Sequence, residues 1–178
     1  MPEVIYFSKL RGPYRCLPNF APTPIEIAGV VWATSEHFYQ AQKFTDVSVQ
    51  DQIATAATAY DAAHRARAMA DHVRADWHEI KLAVMLTALR AKANQHADVK
   101  KTLIDSGDAA LVEQSPKDNF WGNGPDGNGQ NYLGRLWMQV REELRGEVGW
   151  YVFRCVPPSP SAKPAANSRH ISSTPSAR

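Results

Sequence analysis

Two periods of hydrophobic and polar residues run through this chain, and the places where the period changes mark its elements. Val4-Ile5-Tyr6-Phe7 is rich in β-formers and predicts a strand, while Gly12, Pro13, Pro18, Asn19, Pro22 and Pro24 punctuate a long loop after it. Ile25 to Trp32 is apolar with partial alternation and carries Gly29, which reads as strand, turn, strand. Thr34 and Ser35 offer an N-cap for a helix to about Phe44, with Glu36 in its first turn. The Ala-rich stretch beyond it predicts helix broken near Val73 to Asp76, with Asp76 as the cap of a helix from Trp77 to Lys92. A short helix from Asp98 to Asp105 is stopped by Gly107, and Leu111-Val112-Glu113 suits a short strand. Tyr132 to Arg145 is a final amphipathic helix whose stripe is Leu133, Leu136, Trp137, Val140 and Leu144. The expected fold is α+β, a predominantly helical single domain with a small β element.

Composition sharpens this picture. The 178 residues, 44% hydrophobic and 21% charged, suit one soluble globular domain and exclude collagen-like, mucin-like and wholly disordered chains. Five of the twelve prolines follow Phe153 among Ser and Ala, so the expected division is a domain over 1–154 and a disordered tail over 155–178. The net charge of +2 sits in that tail, where Lys163, Arg169 and Arg178 meet no acidic residue; the rest is nearly neutral. A duplex-binding groove needs clustered cations, so extended nucleic acid is a poor ligand, whereas a single nucleotide in a pocket is allowed. No apolar run reaches the ~20 residues that span a bilayer, and the N-terminus has no leader pattern. A cytoplasmic protein with no membrane partner is expected; oligomeric state is left open. Cys16 and Cys155 make neither a zinc site nor a disulfide scaffold and are expected to be reduced thiols.

Two stretches carry candidate chemistry. On the helix Thr34 to Phe44, Glu36, Gln40 and Lys43 share one face; Glu36 and Lys43 stand ~10 Å apart along the axis, which suits two ends of one ligand. A solvated helix face is the plain alternative, and His37 reads as a structural histidine rather than a base. In Asp118 to Asn131, Gly122, Gly124 and Gly127 spell G-x-G-x-x-G, but Pro125 inside the motif and the lack of a βαβ unit reject a dinucleotide fold. What survives is a loop whose amides approach a ligand's phosphates or ribose, beside the Trp121 face and the Asp118 carboxylate; a plain surface loop is its alternative. Trp77 could stack on a base or pack in the core, and Arg65 and Arg67 bind phosphate or are simply solvated.

Together with Asn19-Phe20-Ala21-Pro22, these stretches resemble the NADAR family, also called YbiA-like, over about Phe7 to Leu144. Its T-x-E-H-x-x-Q-A-Q-K-F signature is matched by Thr34 to Phe44, and its D-x-x-W-G-x-G-x-x-G-x-G-x-N-x-L-G signature by Asp118 to Gly134, followed by Met138 and Arg141. Trp137, Ala33 and Ala93 stand where the family commonly has Leu, Pro and Phe, and read as packing changes. The resemblance implies an N-glycosidase that hydrolyses a ribose-to-base bond. Its substrate would be an ADP-ribosylated guanine, free or in DNA or RNA, or a phosphoribosylaminopyrimidine intermediate of riboflavin biosynthesis. A non-catalytic module that binds ADP-ribose or a related nucleotide is the competing class. It implies Glu36, Lys43 and Asp118 as catalytic residues: Glu36 as stabiliser or base, Asp118 as second carboxylate or ribose holder, and Lys43 as Schiff-base nucleophile or phosphate partner. It further implies Asn19, Phe20, Tyr39, Gln40, Trp77, Trp121, Gly122, Gly124 and Asn131 as substrate-binding, and chemistry that needs no metal or cofactor.

Overall fold

The computed structural model describes residues 3–8 and 12–146; Cys155 and the tail expected over 155–178 lie outside the described residues. Strand β1 (Val4–Phe7) pairs in parallel with β4 (Ala110–Glu113), with Phe7 opposite Glu113. Strands β2 (Ile25–Ile27) and β3 (Val30–Trp32) form an antiparallel hairpin. Its two turn residues, Ala28 (φ 54°) and Gly29 (φ 78°), both lie in the left-handed region, the backbone that a tight two-residue hairpin requires. The long-range pairing of β1 with β4 is not legible in either strand alone, because a parallel pair carries no local turn signal.

Helix α1 (Ser35–Ala41) starts where expected: Thr34 Oγ1 accepts the His37 N–H at 3.2 Å. It ends before Phe44, because the N–H groups of Lys43 and Phe44 turn to the carbonyls of Gln40 and Ala41 in a tight i−3 pattern that drops Phe44 into the core. The Ala-rich stretch breaks once more than its composition predicts. Asp46 caps α2 (Val47–Ala54) and Thr58 caps α3 (Ala59–Ala68), so both polar residues start helices rather than sit inside one. A 3-10 turn, Ala70–His72, leads to α4 (Trp77–Gln95). Asp76 precedes α4 but does not cap it, since its carboxylate is taken by the Arg74 guanidinium at 2.5 and 2.9 Å. Helix α5 (Ala97–Asp105) ends before Gly107 (φ 55°), and α6 (Tyr132–Leu144) closes the described domain. The mixed, mainly helical α+β expectation holds.

One core runs between these elements. Leu133, Leu136, Trp137 and Val140 of the α6 stripe are buried and Leu144 is partly so; Val84, Met85 and Leu89 of α4 join them. Two buried donors reach from this core to the loop before β2. Trp137 Nε1 donates to the Leu17 carbonyl at 3.0 Å, and Lys92 Nζ donates to the Pro18 carbonyl at 3.0 Å. Lys92 is fully buried; desolvation pushes its ammonium down to about 8, against the pull of Cys16 and Asp98. Trp137 is therefore more than a packing change, because Leu could not make its bond. Arg141 donates to Ser106 Oγ and the Ala109 carbonyl, which fixes the entry to β4. Among the described residues, no helix is long and apolar enough to cross a membrane.

Replacing Trp137 by Phe keeps most of the ring but leaves the buried Leu17 carbonyl unpaired. Urea unfolding of Trp137→Phe is expected to show a loss of about 1–3 kcal/mol with an unchanged denaturant slope.

Candidate active site

Helix α1 forms the floor of the site. Glu36 is only 6% exposed; its N–H donates to the Asn19 carbonyl at 3.3 Å, and its Oε1 accepts Gln40 Nε2 at 2.6 Å. Burial pushes the Glu36 carboxyl up to about 6. The Gln40 bond and the Lys43 charge pull the other way, while Asp118 adds to the rise. Beside it lie three buried polar atoms with no protein partner: Asn19 Oδ1, Gln40 Oε1 and Ser35 Oγ. Two of these are amide acceptors, suited to hydroxyl donors. His37 is satisfied on both ring nitrogens, by Thr34 Oγ1 at 2.8 Å and the Ala56 carbonyl at 3.1 Å, which makes it structural.

Because the chain tightens after Ala41, Lys43 leaves the helix and lies against aromatic faces. Its Nζ is 5.6 Å from the Tyr39 ring centroid and 5.9 Å from that of Trp77. Desolvation lowers its ammonium, Arg67 lowers it further and Glu36 opposes them. Tyr39 is the hub of the aromatic wall, 5.0 Å from Trp77 and 5.3 Å edge-on to Trp121; Phe120 and then Tyr132 continue the chain of rings. Burial, with Glu36 and Asp118, pushes the Tyr39 hydroxyl upward against a hydrogen bond with Trp121. Trp77 is thus buried, as the packing reading of its sequence position expects, and its ring lies against Tyr39 in the wall.

The Gly-rich loop brings the second carboxylate. Asp118 Oδ1 accepts the N–H groups of Phe120 and Trp121, each at 2.8 Å, so the carboxylate folds the turn that aims Trp121 at Tyr39. Gly122 is required by close approach, since a Cβ there would stand 2.5 Å from Ser115 Cβ and 3.0 Å from the Glu113 carbonyl. Gly124 has φ 69° and lies against Asn119, and its N–H is spent on the Asp118 carbonyl at 3.2 Å. Asn131 is likewise engaged: Oδ1 accepts the Glu113 N–H and Nδ2 donates to the Leu111 carbonyl, both at 2.9 Å, so its side chain mimics a strand beside β4. The Gly124 amide and the Asn131 side chain therefore shape the loop, and the structure does not bring them to the site as ligand contacts.

A third carboxylate, which the sequence reading passed over, lies at the end of β4. Glu113 is held next to the loop by the contacts of its own backbone with Asn131 and Asn123. Burial pushes its carboxyl up to about 7, and the charges of Asp118 and Glu36 add to the rise. The only hint in the sequence is a carboxylate closing an apolar strand immediately before a Gly-rich motif. Burial raises both Glu36 and Glu113 above the ordinary carboxylate range, so the pair keeps a proton to higher pH than solvated glutamates do. Glu36, Gln40, Asp118, Tyr39, Trp77, Trp121, Asn19 and Lys43 come together here; Phe20 packs its ring 4.7 Å from that of Tyr60. Arg65 faces away and donates to the Gln52 carbonyl.

Residues 6–145 match the NADAR domain. The chain is 44% identical over 144 residues to an N-glycosidase of Nostoc punctiforme, covering 79% of this chain and 92% of that protein. It is 42% identical over 145 residues to a riboflavin biosynthesis protein of Vibrio vulnificus, covering 82% of this chain but only 40% of that longer protein. The N-glycosidase YbiA of Escherichia coli is 40% identical over 141 residues, covering 79% of this chain and 88% of that protein. The NMR structure of Escherichia coli YbiA superposes with a TM-score of 0.77 at 39% identity, covering 82% of this chain and 87% of that one.

The raised Glu36 pKa fixes the sign of a stability change. The folded chain keeps that proton from 4.5 up to about 6 while the unfolded chain has lost it, so this group's contribution falls as pH rises through that window and is least above it. Glu36→Gln is expected to stabilise the protein by about 2 kcal/mol at pH 7.5 and by almost nothing at pH 4, measured by urea unfolding at both values.

Proposed function

The chain belongs to the NADAR family and is a hydrolase of N-glycosyl bonds; we propose that the bond it breaks joins ribose to guanine in an ADP-ribosylated guanine. The observation that carries this reading is the approach of Glu36 from α1 and Asp118 from the Gly-rich loop to one buried place flanked by Lys43, Tyr39 and two tryptophans. Breaking a glycosidic C–N bond builds positive charge on the ribose, and a desolvated carboxylate stabilises that charge far more than one in water. Glu36 fills this role. The departing base needs a proton, and Glu113, whose carboxyl burial pushes up to about 7, supplies it. Asn19 Oδ1 and Gln40 Oε1 accept the ribose hydroxyls, and Trp121 with Trp77 faces the base.

Lys43 adds a nucleophile. Its lowered pKa leaves a larger share of free amine than a solvated lysine has. The Nζ lone pair attacks C1′, the C1′–N pair leaves with guanine as Glu113 protonates it, an Nζ proton moves to the ring oxygen O4′, and the C1′–O4′ bond breaks to leave a C1′ imine protonated on Nζ. Water then adds to C1′ and gives a proton back to Glu113, and the amine leaves as the C1′ carbonyl forms, releasing ADP-ribose and restoring Lys43.

A smaller substrate with the same bond, a phosphoribosylaminopyrimidine, is the second reading. It is favoured by the 42% identity to the Vibrio vulnificus riboflavin biosynthesis protein, and base release from that compound, followed by chromatography, decides it.

Incubation of wild type and Glu36→Gln with ADP-ribosyl-guanosine, read by mass spectrometry for free ADP-ribose, is expected to show release by wild type alone. Glu36→Gln should retain nucleotide affinity within about 1–2 kcal/mol; wild type that binds ADP-ribosyl-guanosine but releases no ADP-ribose overturns this substrate. Borohydride added during turnover is expected to fix the mass of ADP-ribose on Lys43. If no adduct forms, Lys43 serves instead as the cation that holds the phosphates. Glu113→Gln should lower kcat and remove the alkaline limb of its pH profile near 7, whereas an unchanged profile would exclude Glu113 as the acid.

A further inference from the structure

Helix α3 flanks the site and carries two different faces. Ala59, Ala62 and Ala66 are buried, whereas Tyr60, His64 and Arg67 form an exposed stripe on the other side. Tyr60 and Arg67 are seven residues apart, so they lie within ~20° of each other and ~10 Å apart along the axis. Tyr60 is 74% exposed, a large aromatic surface that core packing does not use. Its ring nevertheless has a fixed neighbour, Phe20, at 4.7 Å and 54°. Phe20 follows Asn19, whose carbonyl holds the Glu36 N–H, so this aromatic pair stands beside the Glu36 end of α1. The other end of the stripe meets the other end of the site, where Arg67 and Lys43 feel each other's charge. Arg67 has no ion-pair partner among the described residues. An exposed guanidinium without an ion-pair partner suits an anion, and an exposed pair of rings one helix stripe away suits a flat heterocycle.

We propose that this stripe binds the adenosine diphosphate half of the substrate, with the diphosphate on Arg67 and the adenine on Tyr60 and Phe20. The proposal rests on the ADP-ribosyl-guanine reading and explains how the site would prefer that substrate. A phosphoribosyl compound ends at its 5′-phosphate; it reaches Arg67 but not the rings. The distal nucleotide folds back along α3, so the two nucleotide halves of the substrate lie on either side of α1.

The test is calorimetric titration of ADP-ribose and of ribose 5-phosphate into wild type, Tyr60→Ala, Tyr60→Phe and Arg67→Ala. Wild type should bind ADP-ribose more tightly than ribose 5-phosphate. Tyr60→Ala should weaken ADP-ribose about tenfold to a hundredfold while leaving ribose 5-phosphate unchanged, and Tyr60→Phe should restore the affinity. Arg67→Ala should weaken both ligands. Equal affinity of wild type for the two ligands, or ADP-ribose binding untouched by Tyr60→Ala, overturns the proposal. Loss by Tyr60→Ala confined to an ADP-ribosylated oligonucleotide also overturns it, since the rings then take a flanking base. Failure of the substrate reading is seen separately, as wild type that binds ADP-ribose through Tyr60 but releases none from ADP-ribosyl-guanosine.

Discussion

The carbonyl oxygens of Leu17 and Pro18 are held by two buried donors from distant helices, Trp137 of α6 and Lys92 of α4. These two bonds orient the next residue, so that the Asn19 carbonyl receives the Glu36 N–H. Glu36 is thereby fixed at the start of α1 with its side chain inside the protein. Were the loop free to swing, water would reach the carboxylate and its charge would be screened to a value little different from that of any surface glutamate. The unpartnered acceptors of Asn19 and Gln40 depend on the same arrangement.

Three carboxylates within electrostatic reach of each other oppose folding, and the structure shows how the opposition is contained. Gln40 satisfies one oxygen of Glu36, Asp118 spends one oxygen on two backbone N–H groups, and Lys43 contributes the nearby positive charge. Lys43 does not form a close ion pair with Glu36, being held over the Tyr39 and Trp77 rings instead. A close pair would neutralise both groups and draw the Glu36 carboxyl back down from its raised value. The burial that makes these groups reactive is the same burial that makes them costly to the fold.

Much of this architecture was legible because it is written locally. Thr34 announces α1, the α6 stripe announces its buried face, and Gly29 announces the hairpin. The motif residues from Thr34 to Phe44 and from Asp118 to Gly134 pointed to the carboxylates and the tryptophan that the fold assembles. What stayed hidden depends on contacts between distant parts of the chain. The side chain of Glu113 could be placed only once β4 was seen beside β1 and the Gly-rich loop. Asn131 looked like a ligand contact because polar residues near glycines often are, yet its amide completes the edge of β4. Asp76 looked like a cap, but Arg74 competes for it and wins through a two-bond contact. Tyr60 carried no signal at all, since an isolated aromatic residue in an Ala-rich helix gains meaning only from Phe20 opposite it.

The pairing of β1 with β4 has a consequence for how the protein comes into being. Val4 aligns with Ala110, and the Leu17 carbonyl waits for a donor 120 residues later. A chain emerging from the ribosome therefore exposes its first strand and the loop carrying Asn19 long before their partners exist. Topology of this kind places the closure of distant segments late in folding. The centre waits for α6, so a chain cut short before that helix lacks one of the two anchors that orient Asn19 toward Glu36.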